Sequence, residues 1–94
     1  MRIVWSRRAI QHLVHLRGYI ESDSERNAAL VARRILKAVD LLHSHPEIGR
    51  PGRVAGTREL VVPGTPYIIP YRVRHERLEL IAVFHGRQKW PAKL

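Results

Sequence analysis

The chain has 94 residues, the length of a single domain with a modest core, and at 45% hydrophobic it is too apolar for wholesale disorder. It holds no cysteine, which excludes disulfides and thiolate chemistry, and no apolar run approaches membrane-spanning length. Seventeen Lys and Arg against eight Asp and Glu leave a formal charge of +9, divided as +4 over residues 1–45 and +5 over residues 46–94. Charge spread this way belongs to the fold and not to a detachable tail, and it favours an anionic partner. The opening MRIVWSRRAI lacks the basic-then-apolar layout of a signal peptide, so a cytoplasmic protein is expected.

Arg2–Trp5 is short, β-branched and aromatic, and predicts a first strand. Ser6 stands where a cap is needed for a helix beginning at Arg7. Ala9, Ile10, Leu13, Leu16 and Ile20, with Val14 beside them, recur at helical spacing to about Glu21, and Arg8, Gln11, His15 and Gly18 fall opposite. Ser22-Asp23-Ser24-Glu25 breaks the pattern, with Ser22 at capping-box spacing from Glu25 and Ser24 as a competing cap. A second helix is predicted from Glu25 to His43. Ala28, Val31, Ile35, Ala38 and Leu42 form its stripe, widened by Ala32, Leu36 and Val39, and Pro46 stops it. Two amphipathic helices with so short a link form an antiparallel hairpin whose apolar faces need a partner layer.

The remainder of the chain supplies that layer. Pro46–Gly56 is a Gly/Pro loop and Thr57–Val62 a strand. Pro63-Gly64-Thr65-Pro66 is a turn in which Gly64 can take positive φ. Tyr67–Arg74 is the third strand; Pro70 cannot donate a ladder bond, which places it at an edge or a bulge. His75-Glu76 reverses the chain into Leu78–Phe84, which is apolar on both alternations. Such a strand is covered on both faces, or by helices on one and a partner on the other. The expected fold is α+β, in the order β-α-α-β-β-β: a helical hairpin on a mostly antiparallel four-stranded sheet.

Gly49 to Pro91 gathers the candidate binding residues. Arg50, Arg53 and Arg58 enter its first strand, and Arg87, Lys89 and Trp90 follow its last. Arg50 and Arg53 bracket Pro51-Gly52, a turn that either holds an anion or is itself held by bonds to carbonyls or Glu47. Arg58 either faces a ligand or pairs with a cross-strand acid such as Glu79. Trp90 either stacks on a base or a protein contact, or caps the open end of the core. His85 is either a base or a residue closing its strand. Tyr67 and Tyr71 alternate onto one strand face as packing residues. His12, His15, His43 and His45 lack the Cys or acidic pair of a metal site, so neither metal nor cofactor is expected.

In order along the chain, Trp5-Ser6, Ala9, Tyr19-Ile20, the Ala28–Leu42 helix, Pro46 to Gly49-Arg50, Gly56-Thr57-Arg58-Glu59-Leu60, Tyr67-Ile68-Ile69, Tyr71-Arg72-Val73, and His85 with Gln88 and Trp90-Pro91 resemble the RelE/ParE superfamily of type II toxin–antitoxin toxins. The resemblance covers nearly the whole chain. It implies the β-α-α-β-β-β fold, growth inhibition by the free toxin, and an acidic, ParD-like antitoxin that wraps and neutralises it in a hetero-oligomer.

The superfamily divides by target. RelE-like members resemble ribosome-dependent mRNA interferases, and ParE-like members resemble inhibitors of DNA gyrase. Cleaving RNA through its 2′-hydroxyl needs a base, an acid and cations on the phosphate. RelE-like sequences carry an Arg three residues before the third-strand Tyr; here that Tyr is Tyr71 and the position holds Ile68. They also end in a Tyr or His, where this sequence reads Trp90-Pro91-Ala92-Lys93-Leu94. Arg87 matches a basic position of the nucleases, but arginine stays protonated and shuttles protons poorly. The resemblance therefore implies a ParE-like toxin that binds gyrase without bond chemistry. The alternative is an mRNA interferase using Arg87, His85 and Arg58 or Arg72, and a third reading is a non-toxic nucleic-acid-binding module of the same fold.

Overall fold

A computed structural model describes residues 1–94. Ser6 turns its first strand, β1 (Arg2–Trp5), into the first helix, α1 (Arg7–Glu21). Ser6 has extended backbone angles, and its hydroxyl accepts the Ala9 amide at 3.0 Å. The same hydroxyl donates to the Ile81 carbonyl at 2.8 Å, so one side chain caps the helix and ties it to the sheet. Ser24 caps the second helix, α2 (Glu25–Leu41), by accepting the Asn27 amide at 3.1 Å. Ser22 instead closes α1, its hydroxyl donating to the Tyr19 carbonyl. Ser6→Ala is expected to cost about 2 kcal/mol in chemical denaturation and Ser24→Ala about 1 kcal/mol, because only Ser6 serves two bonds.

The helices bury the stripes that face the sheet. Ala9 and Leu16 of α1 are buried, with Leu13 and Ile20 packed against the core. Ile10 and Val14 lie off that stripe and are exposed, because each helical residue turns about 100° from the last. In α2 and just beyond it, Ala28, Val31, Ala32, Ile35, Ala38, Val39 and Leu42 are buried, while Leu36 is exposed. The helix ends at Leu41, two residues short of the expected His43, in turns that lead to Pro46.

Beneath the helices lies one sheet, formed by β2 (Arg50–Pro51), β3 (Arg58–Val61), β4 (Tyr67–Arg74), β5 (Arg77–Leu80) and β6 (Phe84–His85) together with β1. Its order is β1-β5-β4-β3-β2, with β6 pairing β4 beyond the end of β5. All pairs are antiparallel except β1 with β5. Gly64 takes φ 73° in the turn after β3, and the Arg34 guanidinium donates to its carbonyl at 3.0 Å.

Two strands differ from the expectation. A two-residue β2 is added at the edge, pairing Arg50 with Glu59 and Pro51 with Arg58. The predicted Leu78–Phe84 strand is broken into β5 and β6 by Ile81-Ala82-Val83. Pro70 accounts for the break. Its carbonyl accepts the Ile81 amide at 2.9 Å, so its nitrogen, which has no hydrogen to donate, faces the same neighbour. Tyr71 pairs with Leu80 and Ile68 with Phe84, which leaves two residues of β4 opposite three of the partner: a bulge. The bulge is satisfied from outside the ladder. Ser6 holds the Ile81 carbonyl, and the Val83 amide donates to His12 Nδ1 at 3.1 Å.

The double-sided apolar run is explained by two cores. Leu78, Leu80 and Val83 join the main core under the helices with Leu60, Ile69 and Tyr71. Ile81, Ala82 and Phe84 form a second, small core with Trp90 on the opposite face. The chain's own C-terminal segment, and not a partner, covers that side.

Candidate binding face

Strand alternation sorts the charged side chains. Register places Ile3, Trp5, Leu78, Leu80, Ile69 and Tyr71 toward the helices, so Arg2, Arg72, Arg74, Arg77, Glu59 and Glu79 project from the opposite, open face. Arg50 and Arg53 reach the same face from the loop between α2 and β3.

Glu59 organises that loop. It is 3% exposed, yet it carries a carboxylate. Arg50 donates from Nε and Nη2 to Oε1 at 3.1 and 3.0 Å. Arg53 donates from its backbone amide and its Nε to Oε2 at 2.9 and 3.3 Å. Every strong acceptor position of a buried anion is thus engaged, which is the condition under which burial is tolerated. The Arg53 guanidinium also lies 3.6 Å over the Trp90 ring, and Trp90 packs on Phe84 with centroids 4.7 Å apart. Glu59, Arg53, Trp90 and Phe84 therefore form one continuous stack that ties the loop to the C-terminal segment.

The other side of the loop is pinned to the sheet edge. The Tyr71 hydroxyl donates to the Pro46 carbonyl at 2.7 Å and accepts the Gly49 amide at 2.9 Å. A Cβ at Gly49 would stand 2.6 Å from the Tyr71 ring, so only glycine allows this approach. Arg58 donates to the Glu47 and Gly49 carbonyls at 3.2 and 2.9 Å. It does not pair with Glu79, because β4 lies between β3 and β5. Glu79 instead bridges Arg72 at 3.7 Å and Arg74 at 3.3 Å. Glu59 was missed as the partner of Arg50 and Arg53. The available signal was an acid opposite Arg50 across the Pro51–Thr57 turn.

Burial pushes the Glu59 carboxyl up, but the Arg53 amide, the Arg50 hydrogen bond and the two guanidinium charges outweigh it and hold it below the ordinary value. Glu79 is also lowered: desolvation raises it, but its bond to Arg74 and the charges of Arg74, Arg72 and Arg77 together outweigh that. A carboxylate depressed in the folded state adds stability above its unfolded pKa, 4.5 here, that is lost as pH falls through the lower folded value. Burial, with the Arg8 charge beside it, also holds His12 below its ordinary value of 6.5, so thermal melts are expected to be flat above about pH 7, to decline as pH falls through that value, and to fall further below about pH 5. Glu59→Gln should flatten that acid limb, which differential scanning fluorimetry across pH would read.

Arg87 and Lys89 lie in the loop after β6, exposed and in no ion pair. Two buried donors on the open face, Arg72 Nε and Trp90 Nε1, have no acceptor within the chain. His85 stands apart from all of these. It pairs with Tyr67 in register, on the helix side of the sheet, and meets the Tyr67 ring edge-on at 5.7 Å. Of the candidate residues, then, Arg50, Arg53 and Trp90 come together around Glu59, Arg58 holds loop carbonyls, and Arg87 with Lys89 flank the C-terminal segment. The nuclease set of Arg87, His85, Arg58 and Arg72 is not gathered into one place, since Arg72 and His85 project from opposite faces.

No helix is long and apolar enough to cross a membrane. No cluster of three or more His, Asp or Glu is arranged to hold a metal ion.

The family model described as the ParE toxin of the type II toxin–antitoxin system, parDE, matches residues 3–90. A Sinorhizobium fredii protein named as toxin Y4kP is 47% identical over 93 residues, covering 99% of this chain and 96% of its own. The toxin RelE2 of Caulobacter vibrioides is 37% identical over 85 residues, covering 90% and 94%. A solved chain of the chromosomal ParDE system of P. aeruginosa superposes with a TM-score of 0.81 at 24% identity, covering 90% of this chain and 95% of that one, which supports the α+β fold. Sequence match, near-complete coverage and shared fold agree: the chain belongs to the ParE toxin family of type II toxin–antitoxin systems, the RelE/ParE superfamily, in which a toxin has a cognate antitoxin partner.

Proposed function

We propose that this protein is a cytoplasmic, cofactor-free toxin that inhibits DNA gyrase by binding it and is neutralised by an acidic, ParD-like antitoxin. The observation that carries the reading is the separation of cations from proton carriers. The guanidinium groups of the open face have no strand histidine or tyrosine among them; Tyr67, Tyr71 and His85 all project toward the helices. The acids on that face, Glu59 and Glu79, are already committed to arginines. Such a face stabilises negative charge but offers no base–acid pair for breaking a phosphodiester. It suits recognition instead, and Arg87 and Lys89, exposed and in no ion pair, favour a partner bearing acceptors.

Names among the relatives fall on both sides of the superfamily, so target choice rests on this geometry. The antitoxin's acidic tail would complement the +9 charge and speed encounter. Co-elution of the purified protein with gyrase in size-exclusion chromatography, abolished by excess antitoxin, is the expected result. Primer extension on mRNA from translating ribosomes given the protein should find no new ends; codon-linked cuts would establish the interferase reading in its place.

A further inference from the structure

A second site lies on the other side of the sheet. A pocket of about 470 Å³ opens between α1 and β6, within the range of roughly 300–1,000 Å³ usual for small-ligand sites. His12, His15 and Tyr19 line it from α1, Tyr67 from β4, and His85 and Gln88 from the C-terminal end of the sheet. No carboxylate lines it. Arg8, His12, His15 and Tyr19 follow one another at spacings of four, three and four, so they share one stripe of the helix.

The hydrogen bonds around the pocket fix what its side chains present. His12 Nδ1 accepts the Val83 amide, so the neutral ring carries its proton on Nε2. His85 Nδ1 accepts the Arg87 amide at 3.1 Å, with the same consequence. Gln88 Oε1 accepts the His85 amide at 2.7 Å, which leaves its NH₂ as the unused end. Tyr67 is 9% exposed and lines the pocket; its backbone amide is its only atom donating to a side chain, and its hydroxyl makes no bond within the chain. Residues whose imidazole and amide acceptors are consumed elsewhere, His12, His85 and Gln88, thus line one cavity with Tyr67.

We propose that this pocket binds an oxyanion, the phosphate or carboxylate group of a small molecule, through Tyr67 Oη–H, the Nε2–H groups of His12 and His85, and the Gln88 amide. A cavity that gathers donors and lacks acids suits an anion and leaves a cation without partners. Nothing in the gyrase reading uses these residues, so the two stand or fall separately.

The test is a titration of the isotope-labelled full chain with inorganic phosphate and, separately, with acetate, at constant ionic strength, followed by NMR at the imidazole nitrogens and at the Gly86 and Gln88 amides. Saturable shifts of His12 and His85 are expected with at least one anion; tighter binding of phosphate assigns a phosphate group, and tighter binding of acetate a carboxylate. Tyr67→Phe should weaken the better anion about tenfold, the worth of one hydrogen bond to a charged group. Gln88→Glu, an exposed substitution that keeps the acceptor for the His85 amide, should abolish saturation. Shifts that grow linearly with both anions, that are confined to the open-face arginines, or that are indifferent to both substitutions overturn the proposal.

Discussion

Glu59→Ala should lower the unfolding free energy by about 3 kcal/mol and release the segment from Arg50 to Thr57 from the sheet. The carboxylate is nearly fully buried and receives four bonds from Arg50 and Arg53. Its loss leaves the Arg53 amide without an acceptor and two guanidinium groups without a counter-charge. The arginine side chains are 52% and 49% exposed, so water recovers part of their solvation and keeps the cost toward the low end for a broken buried pair. Urea denaturation reads the free energy, and hydrogen exchange at the Gly52 and Arg53 amides reads the loop. A loss below about 1 kcal/mol would place the cluster among ordinary surface ion pairs.

Trp90→Ala should cost about 3–4 kcal/mol, within the range for removing a buried aromatic ring. Trp90 is 9% exposed and lies between the Arg53 guanidinium and Phe84. Without it the second core of Ile81, Ala82 and Phe84 loses its cover, and Arg53 loses a cation–π contact worth about 0.5–2 kcal/mol. The loss is not a simple sum with Glu59→Ala, because both substitutions act through Arg53. In a double-mutant cycle the pair should cost less than the two separate values combined. Strict additivity would mean that the stack from Glu59 to Phe84 does not act as a unit.

Elements governed by nearby residues were legible in the sequence. The Ser6 cap, the stripes of α1 and α2, the turn at Gly64 and the reversal at His75-Glu76 each depend on residues within a few positions, and each is present. Pro70 announced a disturbance, but its form required the register of two strands: the extra residue sits in Ile81–Val83, not in β4. Alternation showed that Arg58 and Glu59 face opposite ways. It could not show that the Arg50–Arg53 loop folds over Glu59, since that closure depends on β2 forming at all. The same limit hid the cover over the second face. Trp90 and Phe84 are close in sequence, yet their contact needs the C-terminal segment to cross the open side. His12 and Val83 meet across 71 positions, so the donor pocket has no local signature.

The most direct measurement is a DNA supercoiling assay with purified gyrase, titrated with the full chain and then with antitoxin. Supercoiling should fall to background at saturating protein and return when antitoxin is added in excess. Arg72→Ala or Arg87→Ala should raise the concentration needed without changing the fold seen by circular dichroism. Gyrase that supercoils at its full rate under saturating, folded protein would contradict the account.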